Sequence, residues 1–504
     1  MRIAEHEMSA GKPVQFLSPR VLKLARVFVC LLAAFAYPHS AVGQTPTPEF
    51  MPLDAAKPAI EKLGTTDGHG LTPAISSHDW LAWLQRSDAQ VRERLDVGEE
   101  DSLTNLLRFG VTYTKEYRID DEYLLRYGQS SLVDSFARNR ANDLIKALAA
   151  PNRNQGFQEM RAFVESKGFS VNSPAGQKKV KAYLLANLAR MQKEFLQAQS
   201  ESKSDPNKSF QHRGISLDSN LWPDYDLDLA LQALLKAKML RPAQVERVAI
   251  VGPGLDFVNK QEGVDYYPPQ TTQPFAVFDS LLRLELAKPD KLEIFTLDIS
   301  PRVNLHLETA NKNAALGQSY TIQLPWYADG RWSDEFRKNF TQYWRALGSQ
   351  IGDPVAAIPV PSESPGFETR AVKIHPSIVR RIKPIDTNIV YQQLSLPPSE
   401  RFNLIIGTNI FIYYGRFEQS LARANIAAAL KPGGRAATLE FVPNPDRVSP
   451  PMPAAFSLTM LVSTESGDAY TFAELKAMYD EAGFKNATAH PIPMSPHTVV
   501  MGTA

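Results

Sequence analysis

Apolar positions change their rhythm once along this chain. Between residues 77 and about 202 they recur at helical spacing. Trp80, Leu81, Trp83 and Leu84 share one face, and Leu103, Leu106 and Leu107 another. Leu132, Phe136, Leu144 and Leu148, then Leu184, Leu185, Leu188, Met191 and Phe195, continue the pattern. This predicts an all-helical domain over 77–215, preceded by a linker rich in Pro, Thr, Gly and Ala over 44–76. From Tyr225 onward helical and strand periods alternate. Helices near 227–240 and 275–287 precede strands at 247–251 and 292–297, and further strands are predicted at 388–392, 404–406 and 435–441. Such alternation predicts an α/β domain over 216–504 with a parallel sheet covered on both faces. Two stretches interrupt it, near 256–273 and 317–384. The second carries Trp326, Tyr327, Trp332, Phe340 and Trp344, which are either the core of a small subdomain or a substrate wall.

The strand ends carry the candidate chemistry, because ligands of open parallel sheets sit beyond the carboxyl ends of the strands. Gly252, Pro253 and Gly254 directly follow the strand at 247–251, and glycine lets a backbone turn tightly and approach a ligand. Asp298 closes the next strand, where a carboxylate either accepts both hydroxyls of a ribose or helps to cap the helix that Ser300 and Pro301 open. Thr408, Asn409, Tyr413 and Tyr414 follow the strand at 404–406, with Phe411 and Tyr414 read as packing residues. LKPGG at 430–434 reads as a glycine helix stop. Thr471 and Glu474 form a capping box, Leu475, Met478, Tyr479 and Ala482 a buried face, and Gly483 a stop, after which two short strands can pair at the sheet edge. His306 and His490 have no partners at metal-ligand spacing, so no metal site is expected.

Taken in this order, the GPG turn, Asp298, the strand-helix-LKPGG-strand unit, AELKAMYDEAGF and the closing strands resemble class I S-adenosylmethionine-dependent methyltransferases over about 227–504. The resemblance implies a Rossmann-like methyltransferase sheet, mostly parallel with a C-terminal antiparallel hairpin, behind an all-helical N-terminal domain. It also implies S-adenosylmethionine as cofactor. Gly252, Pro253 and Gly254 would approach its methionine part, Asp298 its ribose, Ser395 and Leu396 its adenine, and Thr408 and Asn409 its methionine end. Locally, TNIFIYY and the preceding NIVYQQLSLPPSERFNLII resemble the C-terminal part of chemotaxis-receptor glutamate methyltransferases. Asn409 matches a cofactor-pocket asparagine and Tyr413 an active-site tyrosine, whereas Thr408 replaces an arginine and Ser395 an Asn or Asp. That resemblance extends to the pocket and not to a receptor-glutamate substrate. The implied catalytic candidates are Tyr413, which would orient substrate, and Glu440, at the end of the next strand, as a base. The acceptor is a small molecule or a protein. Two other readings stand beside methyl transfer: an exported, non-catalytic binding or scaffold protein that keeps the fold, and an NAD-dependent oxidoreductase, for which the third glycine of the fingerprint is missing.

Composition changes this picture at one end of the chain. Scattered positive charge up to Arg26, an apolar run over 27–37 and Ala41-Val42-Gly43 before Gln44 predict a signal peptide over 1–43 and a periplasmic or secreted product. An uncleaved leader acting as membrane anchor, or a cytoplasmic product starting at Met51, are the alternatives. Cys30, the only cysteine, lies in that run, so cleavage removes the one thiol and with it disulfides, thiolate metal sites and cysteine nucleophiles. Without the leader's five basic and two acidic residues the formal charge is −2, which argues against a nucleic-acid partner. No stable membrane span is expected after cleavage.

Overall fold

A computed structural model describes residues 46–62, 71–119, 131–151, 154–200, 215, 221–256, 265–327, 334–362, 366–408, 410–440, 471–491 and 498–504. The expected signal peptide, Trp332 and Asn409 lie outside these residues, as do the side chains of Tyr327 and Glu440. The chain from Pro46 to Ala504 forms one unit.

Part of the stretch expected to be a linker is built into the structure. It carries β1 (Pro48–Phe50) and α1 (Leu53–Ile60), which bury Met51, Ala56 and Ile60. Its prolines interrupt the apolar period and hide both elements in the sequence. Ser76 then caps the 33-residue α2 (Ser77–Phe109) by accepting the Asp79 N–H. This helix belongs to two cores. Trp80, Leu84, Val91 and Leu95 pack with the sheet-side core. Leu103, Leu106 and Leu107 pack with Leu144 and Leu148 of α3 (Ser131–Ala149), Met160 and Val164 of α4 (Gln155–Ser166), and Leu184 and Leu188 of α5 (Pro174–Ser200). The frayed end of α2 is closed by the fully buried Arg140. Its guanidinium donates to the carbonyls of Leu107 and Gly110 at the helix end and of Glu116 and Tyr117 in the loop that follows, at 2.6–2.9 Å.

The α/β part starts with α6 (Leu221–Lys236), then β2 (Arg247–Val251), α7 (Gln273–Arg283), β3 (Glu293–Asp298) and α8 (Pro301–Ala315). The long insertion follows as β4 (Tyr320–Tyr327), α9 (Asp334–Ala346), β5 (Gly352–Val355), β6 (Phe367–Ile374) and the short α10 (Pro376–Val379). The chain returns through β7 (Ile382–Asp386), β8 (Gln392–Leu394), β9 (Phe402–Thr408), α11 (Arg416–Ala429) and β10 (Leu430–Glu440). It closes with α12 (Phe472–Glu481), β11 (Lys485–Pro491) and β12 (Thr498–Thr503). Among the described residues seven strands form one sheet in the order β7-β3-β2-β9-β10-β12-β11. The first five are parallel, and β12 runs against both of its neighbours. This is the Rossmann-like methyltransferase sheet with its C-terminal hairpin. Val248 to Val251 in central β2 are all buried, as covered faces on both sides require.

Two local expectations are corrected. Residues 388–392 are not a sheet strand. That place is taken by β7, whose Pro384 is tolerated because β7 is an edge strand paired only with β3. Asn388 instead turns the chain, its side chain accepting the Val390 N–H and its carbonyl the Gln392 N–H, and β8 pairs with β1 away from the main sheet. LKPGG is not a glycine cap either. Leu430 is already extended after α11, and β10 slips register between Leu430 and Arg435, with Gly433 at φ +77° inside the irregularity.

The capping box of Thr471 and Glu474 is present, and Leu475, Met478 and Tyr479 are buried as expected. In the insertion, β4, β6 and β5 form a three-stranded antiparallel sheet. Trp326, Phe340 and Trp344 are buried there, and Phe340 stacks on Trp222 of α6 with ring centroids 4.4 Å apart. The aromatic set, as far as it is described, is therefore core. Among the described residues no helix is long and apolar enough to cross a membrane.

Candidate functional site

The register of the central strands brings three chain turns to one rim. Val251 lies opposite Leu297 on one side and Gly407 on the other, so the residues that follow β2, β3 and β9 emerge side by side. Gly252 turns the chain at φ +61° while its N–H donates to the Leu297 carbonyl at 2.9 Å. A Cβ at Gly252 would stand 2.3 Å from Cδ1 of Ile410, so this turn lies directly against the segment after β9. Gly254 is also left-handed, at φ +71°, and its backbone N–H faces the Asp298 carboxylate closely enough to favour its charged form.

Asp298 is 5% exposed. Its Oδ1 accepts the Ser300 N–H at 2.7 Å, and its carbonyl accepts from Asn304 Nδ2 and the Thr387 N–H. The helix cap itself is Ser300, which accepts the Val303 N–H. Asp298 therefore ties the glycine turn to the start of α8, and a carboxylate with about four acceptor positions has capacity left for a diol. Burial raises its pKa to about 7, against the lowering effect of the two backbone N–H groups. Asp386, in register with Asp298 on β7, adds repulsion, and Arg92 opposes it.

Arg92 was not visible as a site residue in the sequence. It reaches from α2 to donate to the Ile299 carbonyl at 3.2 Å and pairs with Asp386 at 2.9 Å and Asp88 at 3.0 Å. Asp88 in turn accepts from Asn388 Nδ2 at 2.8 Å. The helical part thus walls the rim where β3 and β7 end. Arg92 and Ile299 are 207 residues apart, and no local pattern announces a contact of that range. Asp386 carried a readable signal, an acid at a strand end, once the strand is placed correctly.

On the other side of the glycine turn Thr408 is buried and accepts from Gln273 Nε2 at 2.9 Å. Tyr413 lies in a 3₁₀ turn, partly buried against the core, between the buried Phe411 and Tyr414. Gln419 holds this turn through the carbonyls of Phe411 and Tyr414, and burial pushes the Tyr414 phenol well above its ordinary range. Phe411 and Tyr414 are packing residues, as read. Gly252, Pro253, Gly254, Asp298 and Thr408 are therefore brought to one rim. Ser395 is exposed beside the β1–β8 pair, its hydroxyl donating to Glu49 at 3.1 Å, and Leu396 packs partly buried against the core. Glu440 ends β10 opposite Thr498.

The histidines have structural surroundings. His306 Nε2 lies 2.8 Å from the Tyr320 hydroxyl, which accepts the Thr271 N–H, and burial lowers the imidazole to about 4. His490 meets Thr488. Among the described residues no group of three or more His, Cys, Asp or Glu could hold a metal.

No family model matches the chain, and no curated protein matches it. Solved structures do. A putative O-methyltransferase from Nostoc punctiforme is 14% identical over 74% of this chain and 98% of its own, with a TM-score of 0.34. PigF with S-adenosylhomocysteine is 15% identical over 76% and 99%, with a TM-score of 0.32. Human N-acetylserotonin methyltransferase in complex with S-adenosylmethionine is 14% identical over 96% of both chains, with a TM-score of 0.29.

Proposed function

We propose that this chain is an S-adenosylmethionine-dependent methyltransferase acting on a small-molecule or protein acceptor. The observation that carries the reading is the buried Asp298 at the tip of β3 beside the left-handed glycine turn that follows β2, with Thr408 of β9 on the other flank, in a sheet whose β12 is reversed. The residues fit the cofactor. Gly252 makes the tight turn against Ile410, the left-handed Gly254 offers backbone without a Cβ, and a buried carboxylate raised by burial is stabilised in its charged form by hydroxyl donors.

Bound there, S-adenosylmethionine would supply a methyl group already activated by its sulfonium. The protein then has mainly to orient the acceptor and exclude water. The partly buried Tyr413 supports an orienting role. The local likeness to chemotaxis-receptor methyltransferases supports a shared pocket built on Asn409 and Tyr413, and does not extend to their substrate.

Thermal melting with S-adenosylhomocysteine, with NAD and with neither tests the reading. At ligand about 100 times its dissociation constant, the nucleoside is expected to stabilise by about 2.7 kcal/mol while NAD gives no shift. A shift with NAD alone, or with neither, would overturn it and favour the oxidoreductase or the non-catalytic binding protein respectively. We also infer export from the leader composition. Fractionation is expected to recover a processed chain outside the cytoplasm, and an intact chain confined to the cytoplasm would refute this.

A further inference from the structure

Next to Thr408 lies a buried group of oxygens with more acceptors than donors. Asp224, in the first turn of α6, is 2% exposed. Its Oδ2 accepts the Thr272 hydroxyl at 3.2 Å and the Gln273 amide lies alongside, but Oδ1 accepts no hydrogen bond. Gln273 gives one of its two Nε2 hydrogens to Thr408, and its Oε1 accepts from no described donor. The hydroxyl of the fully buried Thr271 is likewise without a partner. Among the described residues no cation balances Asp224. The charged or titratable neighbours are Asp256, which repels it, and the Tyr343 phenol, which it pushes up, while Arg283 pairs with Asp228. Buried polar atoms are ordinarily satisfied, and an uncompensated carboxylate oxygen is among the costliest to leave bare. Asp224 comes from α6, Gln273 opens α7 and Thr271 precedes it by two residues, and Gln273 reaches the end of β9, beside the rim where the glycine turn meets Ile410.

We propose that Asp224, Gln273 and Thr271 form a subsite for a primary ammonium group. Such a group carries three donors and a positive charge, matching three acceptors and one uncompensated acid. Burial holds Asp224 near 7 without a cation, and a bound ammonium would return it to the ordinary carboxylate range. The proposal rests on the methyltransferase reading for its position, and it admits two sources of the ammonium: the amino-acid part of the cofactor or an amine acceptor.

Calorimetry on the full chain distinguishes them. The probes are S-adenosylhomocysteine, 5′-methylthioadenosine, which keeps the nucleoside without the amino-acid part, and butylamine. Asp224→Asn keeps the volume and the Thr272 contact. Gln273→Met serves as a second variant should the first fail to fold. If the ammonium is the cofactor's, the wild-type preference for S-adenosylhomocysteine over 5′-methylthioadenosine falls by on the order of tenfold to a hundredfold in either variant. If it is the acceptor's, both variants keep that preference, and butylamine raises the melting temperature of the wild type only. Unchanged preference together with no butylamine effect on the wild type overturns the subsite. Failure of both nucleosides to bind the wild type would sink the methyltransferase reading, and the butylamine comparison without nucleoside would still decide the subsite.

Discussion

Replacing Asp298 with alanine is expected to weaken S-adenosylhomocysteine binding by about a hundredfold. Two ribose hydroxyls donating to one buried carboxylate make two charge-assisted hydrogen bonds, each about 1.5–3 kcal/mol before water competes for the free protein. Because alanine also removes the acceptor for the Ser300 N–H, Asp298→Asn is the cleaner variant, keeping the shape while lowering the acceptor strength. The pH dependence has a definite sign. The folded pKa of Asp298, about 7, lies above the ordinary 3.8, so its protonated form stabilises the free protein. That contribution is complete below 3.8 and is lost as pH rises through 7. Ribose donors favour the ionised form, so affinity should rise with pH across the neutral range. Asp224 is also raised to about 7, so where its ammonium is the cofactor's, Asp298→Asn should remove part of the slope and the double variant with Asp224→Asn the rest. Affinity indifferent both to Asp298→Ala and to pH would remove Asp298 from the site.

Phe340→Ala is expected to cost about 3–5 kcal/mol of stability, the range for emptying an aromatic position in a packed core. Phe340 is 1% exposed. Its ring lies 4.4 Å from Trp222, 4.4 Å from Trp326 and 5.3 Å from Tyr225, joining α9, α6 and β4. Phe340→Leu keeps most of the volume and should cost less than about 1.5 kcal/mol. Urea midpoints at constant slope measure both. Since α6 also carries Asp224, the alanine variant should lose nucleoside affinity as well. A loss of stability under about 1 kcal/mol with altered acceptor preference would instead make these aromatics a substrate wall.

The helical part and the alternating α/β part were legible because each depends on local period. Trp80 and Leu84, or Leu184 and Leu188, mark helix faces whatever they pack against. β2 appeared at its observed bounds because both its faces are buried and its apolar run is unbroken. β7 did not, since an edge strand can hold a proline and Pro384 made it look like loop. The glycine turn, Asp298 and Thr408 were legible as strand-end residues, and their meeting follows from register alone. Ser395 looked equally placed by motif, yet β1, read as linker, pairs beside it and Glu49 engages its hydroxyl.

Amino-acid order by itself determined the period of each element, the turns that end the strands and the residue types at the rim, because these depend on neighbours within a few positions. Only the tertiary structure decided that Arg92 walls the rim from α2, that the insertion's aromatics form a core with Trp222, and that Asp224 lies buried beside Gln273 with an oxygen unmatched. The physical reason is range. Contacts across tens to hundreds of residues leave no trace in local spacing, and burial, which sets both the pKa and the unmet hydrogen-bonding demand of an acid, exists only once distant segments close around it.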